Sequence, residues 1–393
     1  MSVIESIWIA VQISIGYNLI LPFIFYLSWL VSRKPAKASL LPSRQRDYAV
    51  IVTAYGDIGL LPAVIQSILQ SNYNNYLVYI VADNCDVTGL HFSDPRIILL
   101  NPPQVLASNT RSHLYAVERF ARAHELVTIV DSDNLLHKEY FNELNLMFDK
   151  GFHAVQGLRA PKNLEGTIAC LDAARDLYYH FYDGKVLFEI GSSATLAGSG
   201  MAFETSVYRD FLLENNVSGA GFDKVLQAWL LMNKSRIAFS EQAVIYDEKT
   251  SKSDQLVQQR SRWINTWFKY FSLGFRILAS GFRDFNKNRM VFGLVLLRPP
   301  LFIFLLGSVV CILLNVLFGL YLSVILWIIA FGLFIASFAI ALIHAKADVR
   351  IYRSLVQIPR FVLYQVISLL NVRKANKISV ATKHYVANSE KQD

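Results

Sequence analysis

No acidic, basic or histidine side chain occurs between Leu301 and Ile343. A helix over that run would be about 65 Å long at 1.5 Å per residue, twice the hydrocarbon thickness of a bilayer. The run therefore predicts two membrane-spanning helices with a turn near Gly319 to Ser323. Ile7 to Val31 is also free of charge and long enough for one more span. It is too long for the apolar core of a signal peptide and has no basic residue before it. That disfavours a leader cleaved at Ala36-Lys-Ala38. Basic residues follow instead: Arg33, Lys34, Lys37, Arg44 and Arg46 after the first run, then Lys346, Arg350, Arg353, Arg360, Arg373, Lys374 and Lys377 after the last. Lys and Arg collect on the cytoplasmic side of a membrane, so the expected topology is multi-pass in a cell's inner (plasma) membrane. The N-terminus is then outside and both the middle of the chain and its tail are cytoplasmic.

Composition agrees with a chain of two characters. It is 53% hydrophobic and 17% charged, and its mean hydropathy is +0.34. That is too apolar for an ordinary soluble protein and too charged for one lying wholly in lipid. The net charge of +8 sits beside the apolar runs, which points to lipid headgroups and not to nucleic acid. Cys85, Cys170 and Cys311 are far apart and in no metal-binding spacing, so free thiols are expected. There is no internal repeat.

Between the apolar runs, Val127-Thr-Ile-Val-Asp131-Ser-Asp133-Asn134 reads as a short buried strand that stops at two carboxylates. Ligands of open α/β sheets sit beyond the carboxyl ends of the strands. Two Asp side chains at i and i+2 there can offer oxygens to a hard divalent cation, which usually takes one or two carboxylates plus substrate phosphates. The plainer reading is a polar turn. Other strands are expected at Asp47 to Thr53, Leu77 to Ala82, Arg96 to Leu100, Ile237 to Phe239 and Ala243 to Tyr246, with Ala154 to Gly157 as an edge strand. Helices are expected at Leu60 to Gln70, Ser108 to His124, Glu139 to Phe148 and Thr167 to Phe181. A further one opens near Gly219 with Asp223 in its first turn, and the last covers Gln255 to Trp267. Alternating strands and helices with polar strand ends describe a mostly parallel sheet with a nucleotide site along one edge. Gly198 and Gly200 permit close backbone approach to a ligand. Arg260 and Arg262 suit phosphate, and Trp263 suits the apolar face of a sugar.

The expected layout is a spanning helix over 1–32 and a cytoplasmic α/β domain over 33–267. An interfacial helix follows over 268–300, two spans over 301–343 and a basic tail with an amphipathic helix over 344–393. Trp, Phe and Tyr mixed with Lys269, Arg276 and Arg283 mark the interfacial part.

Several separated motifs then coincide: Thr53 to Asp57, Val81-Ala-Asp83-Asn-Cys85, Asp131-Ser-Asp133, Gly198-Ser-Gly200, Asp223 and Gln259-Arg-Ser-Arg262-Trp263. In that order the chain resembles the membrane-bound, inverting family 2 glycosyltransferases of the cellulose, chitin and hyaluronan synthase group. The resemblance covers about Asp47 to Trp267. It implies a GT-A fold, Rossmann-like, carrying transmembrane and interfacial helices. It also implies a nucleotide-sugar donor, commonly a UDP-sugar, and a glycan or lipid-linked acceptor. By position, Ala54, Tyr55 and Asp83 would line the base and ribose site, and Asp131 would support nucleotide and sugar. Asp133 would coordinate Mg²⁺ or Mn²⁺, and Asp223 would be the general base. Gln259 and Arg262 would hold the diphosphate, Trp263 would stack on the acceptor, and Gly198, Gly200 and Met201 would shape its pocket. Arg111 would face phosphate. The expected product is a β-linked polysaccharide or glycan. Single addition to a lipid-linked acceptor is the alternative, and a non-catalytic membrane scaffold a remoter one. Three spans are few for a polymer channel, so an export partner or a homo-oligomer is expected if product crosses the membrane.

Overall fold

The computed structural model describes residues 3–32, 44–233 and 235–372. The basic residues Arg33, Lys34, Lys37, Arg373, Lys374 and Lys377, and the stretch Ala36 to Ala38, lie outside the described residues.

Runs of Val, Ile, Leu and Tyr build the strands β1 (Tyr48–Tyr55), β2 (Tyr76–Asp83), β3 (Ile97–Leu100) and β4 (Leu126–Asp131). These four pair in parallel, in the order β3, β2, β1, β4. β1, β2 and β4 are buried along nearly their whole length, as strands covered on both faces must be. The sheet continues through β5 (Leu135–Leu136), β6 (Ala154–Pro161), β7 (Met201–Glu204) and β8 (Ile237–Asp247) in the spatial order β4, β7, β6, β8, β5. β7 is antiparallel to both β4 and β6, and β5 is antiparallel to β8. The sheet is therefore mixed. Because β6 runs parallel to β8 and antiparallel to β7, β1, β2, β4, β6 and β8 all point the same way. Their last residues, Tyr55, Asp83, Asp131, Pro161 and Asp247, share one edge.

Some local expectations change. β6 is an interior strand, not an edge, because β7 inserts between it and β4. The two late strands are one, β8, with an irregularity opposite Gly157 and Leu158 that absorbs the polar Ser240 to Gln242 stretch. The helix expected over Ser108 to His124 spans only Asn109–Val117, capped by the Ser108 hydroxyl. The aromatic helix Gly166–Tyr179 does not stop near Phe181 but runs on as a π-helical segment, His180–Val186, and a last turn, Leu187–Glu189.

Outside the sheet, Val3–Ser32 and Tyr321–His344 are each long and apolar enough to cross a bilayer. Leu301–Leu317 is shorter and meets Lys287–Leu297 at a 73° bend, where Arg298-Pro-Pro300 interrupts the helix. The pair counts as a third span only if it is taken as one broken helix. The turn expected near Gly319 falls at Phe318 to Leu320, with Gly319 at φ +68°. A polar knot joins these helices. Gln12 Oε1 accepts from Asn315 Nδ2 at 2.6 Å and from Trp327 Nε1 at 2.8 Å, and Trp8 Nε1 donates to Asn315 Oδ1 at 3.1 Å. Such bonds hold apolar helices together where lipid gives no hydrophobic drive. The expected interfacial stretch divides at Phe271 into Ser253–Tyr270 and Ser272–Arg283. Ser272–Arg283 then doubles back on Lys287–Leu297, and Gly274, Gly281 and Gly293 let the two backbones touch.

Gly157 tests the central sheet. A Cβ there would press into the carbonyl oxygen of Ala243 and approach that of Gly200 to 3.1 Å. Backbone atoms cannot move aside as a side chain can. Gly157→Ala should cost about 2 kcal/mol or more, read as a lowered unfolding midpoint in detergent.

Candidate active site

The shared strand edge floors a cavity of about 690 Å³, a size that suits a nucleotide-linked sugar. Register aligns its acids: Tyr55 pairs with Asp83 and Thr53 with Asp131. Ala54, Tyr55, Asp83, Asp131, Asp133, Gly198, Asp223, Gln259, Arg262 and Trp263 all line this one cavity. Residues from six separate stretches of chain are thus brought together.

Two expected positions lie behind the wall instead. Met201 is fully buried in the core on β7. Gly200, at φ +66°, is packed against Ile245 and bonds backbone to backbone with Gly157 and Ile129. Arg111 is exposed and does not line the cavity.

Asp83 faces the cavity but its carboxylate is already engaged. Its oxygens accept from the backbone N–H of Leu106 at 2.9 Å and of Ala107 at 2.7 Å. It therefore holds the 106–107 turn, where Ala107 has φ +46°, beside the cleft. Asp131 is held differently. Burial, then the neighbouring charge of Asp133, push its carboxyl up to about 7, against the pull of Arg159. Asp133 accepts from Asn134 Nδ2 at 3.3 Å, and the same amide donates to Asp247 at 3.1 Å. Burial would raise the Asp247 carboxyl too, but Arg159 at 2.8 Å and Lys249 at 2.7 Å hold it well below the usual carboxylate range.

Among the described residues no three His, Cys, Asp or Glu side chains are grouped to hold a metal ion. The strand end still fits one. Asp131 and Asp133 meet at the end of β4, and their repulsion adds to burial in holding the Asp131 carboxyl up. A divalent cation that draws its other ligands from phosphate oxygens would relieve that repulsion.

Asp223 stands in the first turn of Phe222–Met232, with Lys224 Nζ at 3.3 Å. The turn before it needs Gly221, which lies at φ +99° and whose Cβ would strike Thr266 and Tyr270 on Ser253–Tyr270. At the other end of that helix, Arg289 donates to the carbonyls of Leu231 at 3.0 Å and Met232 at 3.2 Å. A cation at a helix C-terminus is favourable, and this one ties the Asp223 helix to the Gly-packed hairpin. The nearby acids Asp210 and Glu214, on the helix Thr205–Glu214, do not line the cavity, and Glu214 instead accepts from Trp229 at 2.6 Å. Gln259 accepts from the Thr250 hydroxyl at 3.3 Å. Trp263 keeps 39% of its surface exposed. The Arg260 and Arg175 guanidiniums lie 4.1 and 4.5 Å from its ring centroid.

Arg159, Arg175, Asp176, His180, Asp183 and Arg298 belong to no motif read from the sequence, yet all line the cavity. Arg159 lies on an interior strand, Arg175 and Asp176 on an aromatic helix, His180 and Asp183 on its π-helical extension, and Arg298 at the Pro-Pro bend. Charged residues inside apolar runs were their only signal. Burial drives the His180 imidazole down to about 4, so it is neutral at physiological pH.

Residues 45–266 match the family model described as "Glycosyltransferase like family 2". The chain belongs to that family. Among solved structures, this family 2 chain is similar to the mannosyltransferase PcManGT from Pyrobaculum calidifontis in complex with GDP-Man and Mn²⁺. The TM-score is 0.57 at 14% identity, over 94% of this chain and 98% of that one. It also matches TarS of S. aureus at a TM-score of 0.39 and 13% identity, over 63% of this chain and 54% of that one. TarS 1–349 in complex with UDP matches at 0.40 and 15% identity, over 59% and 65%. No curated protein matches the chain. The mixed α/β sheet of this glycosyltransferase has the GT-A architecture.

Asp131 gives a stability test without substrate. Its folded pKa, about 7, lies above the unfolded value of about 3.9, so the folded state loses stability as pH rises from about 4 to 7 and none beyond. Asp131→Asn removes that loss. In chelator, the variant should melt higher than wild type at pH 8, by the equivalent of about 1–3 kcal/mol. The gap should shrink toward pH 5.

Proposed function

We propose that this family 2 glycosyltransferase transfers a sugar, with inversion, from a nucleotide-diphosphate sugar to an acceptor reached from the membrane. One observation carries the reading. A single cavity joins the acids at the ends of β2 and β4, the Asp223 helix and the Gln259 to Trp263 turn.

In this mechanism the base and ribose lie against Ala54, Tyr55 and the turn held by Asp83. Asp131 supports the nucleotide and sugar. Asp133 would hold Mg²⁺ or Mn²⁺, which when bound neutralises the leaving diphosphate. Gln259 and Arg262 bind the same diphosphate, Arg262 through hydrogen bonds that strengthen as negative charge develops on it. Asp223 accepts the proton of the acceptor hydroxyl. That oxygen forms its bond to C1 as the bond from C1 to the diphosphate breaks on the opposite face, so an α-linked donor gives a β-linked product. Trp263 stacks on the acceptor sugar, and Gly198 leaves room beside it. The neighbour in complex with GDP-Man and Mn²⁺ adds GDP-mannose to the UDP-sugars as a donor to try.

The acceptor divides the reading. A β-linked polysaccharide, as made by the cellulose, chitin and hyaluronan synthase group, remains one product class. The cavity wall favours the other, a single addition to a lipid-linked acceptor. Beyond Trp263 it continues along Trp267, Phe271, Leu273, Val295 and Leu296 to Pro299 and Pro300. These apolar residues lead to the bend before Leu301–Leu317, where a lipid tail would meet bilayer. In this reading the domain lies on the cytoplasmic face with the N-terminus outside, and Ser253–Tyr270 and Ser272–Arg283 rest on the headgroups.

Purified protein in nanodiscs, given UDP- and GDP-sugars with Mg²⁺ or Mn²⁺, should release nucleotide from one donor. Asp223→Asn should bind that donor within about threefold of wild type and lose at least a hundredfold in transfer. Transfer at the wild-type rate by Asp223→Asn would place the base elsewhere. Asp133→Ala should abolish the metal dependence of donor binding, and unchanged dependence would count against its ligand role. Product sizing separates a polymer from a single addition.

A further inference from the structure

A line of ionised side chains runs through the interior from Asp133 to Trp263. Asn134 Nδ2 joins Asp133 at 3.3 Å to Asp247 at 3.1 Å. Lys249 Nζ bridges Asp247 at 2.7 Å and Asp176 at 2.6 Å. Asp176 pairs with Arg175, Arg175 Nε stands 3.7 Å from Asp172, and Asp172 pairs with Arg260. Arg175 and Arg260 both place their guanidinium carbons within 4.5 Å of the Trp263 ring centroid. From Asp247 to Arg260 the signs alternate, and the side chain of Lys249 is 1% exposed. Its backbone is locked as well: Lys249 N donates to Asn163 Oδ1 at 2.7 Å, and Asn163 Nδ2 donates to the Lys249 carbonyl at 3.0 Å.

The far end of this line is built oddly for a mere structural pair. Arg260 Nε and Nη1 and Arg175 Nε are buried without a hydrogen-bond partner. Burial, reinforced by Arg175, lowers the Arg260 guanidinium to about 10. Each cation keeps one carboxylate pair through Nη2 and sets the rest of its guanidinium against the indole, a favourable contact in a desolvated site. The arrangement fixes the orientation of Trp263, and it hangs on carboxylates that are themselves tied to the donor-side strand ends.

We propose that Lys249 is a positioning residue that couples the donor side of the cleft to the acceptor side. Through Asp176, Arg175, Asp172 and Arg260 it holds the helix bearing Gln259, Arg262 and Trp263 in register with Asp133. Lys249 touches no substrate in this scheme. The inference rests on the proposed donor site, since it assigns Asp133 and Trp263 to opposite ends of one reaction.

Hydrogen exchange separates the two ideas. Wild type, Lys249→Met, Lys249→Arg and Arg260→Gln are compared in nanodiscs with and without GDP or UDP plus Mn²⁺. If neither nucleotide protects the Asp131 to Asn134 segment of wild type, the donor reading itself fails. Given that protection, Lys249→Met should keep it while losing the accompanying protection of Ser253–Tyr270. Its turnover should fall at least tenfold, with donor KM moving less than threefold, and Lys249→Arg should recover part of the turnover. Arg260→Gln, at the other end of the line, should reproduce the loss even if Lys249→Met does not fold. Protection of both segments and turnover within twofold of wild type, in Lys249→Met or in Arg260→Gln, would overturn the proposal.

Discussion

Burial of ionised side chains is the constraint on which the cleft depends. Arg159, Asp172, Arg175, Asp176, Asp247, Lys249 and Arg260 have almost no exposed side-chain surface or only a small fraction of it. A charge taken out of water is tolerable only when it is paired with good geometry, and removing one partner of such a pair is far more costly than never having built it. The β8 end, the helix Gly166–Tyr179 and the helix Ser253–Tyr270 are therefore held in one relative position. None of them packs there by apolar contact alone.

The same logic extends to the membrane side. Asp183 of the π-helical segment pairs with buried Arg298 at the Pro-Pro bend. Lys185 from the same segment reaches Glu241 at 2.6 Å, and His344, at the end of Tyr321–His344, reaches Glu241 at 2.9 Å. A π-helical stretch, rare and common near functional sites, thus presents polar groups both to the cavity and toward the long apolar helices. One short segment of backbone ties the cavity to the apolar helices.

Much of the α/β domain was legible. Val127 to Asp131 reads as a strand because its residues fit a pleated, doubly buried surface, and Asp131-Ser-Asp133 reads as a candidate functional end because two carboxylates at the carboxyl end of a strand can face a ligand. Ten of the expected site residues, from Ala54 to Trp263, line one cavity. Gly200 and Met201 do not, because a small-residue run does not reveal which of its members turns toward solvent and which pairs in the sheet. β6 was misread as an edge because nothing local announces that β7, later in the chain, will insert beside it.

What the sequence determined by itself is set by properties that a short window carries: hydropathy over the length of a bilayer, strand and helix periodicity, and the spacing of acids at strand ends. These act between neighbours along the chain, so composition and order suffice to read them. Tertiary structure alone decided the antiparallel insertion of β7, the division of the interfacial stretch at Phe271, and the partners of Arg159, Lys249 and Arg260. Each depends on residues tens of positions apart meeting in a medium of low polarity. There the free energy of a charge is fixed by its neighbours in space, and a one-dimensional pattern does not contain them.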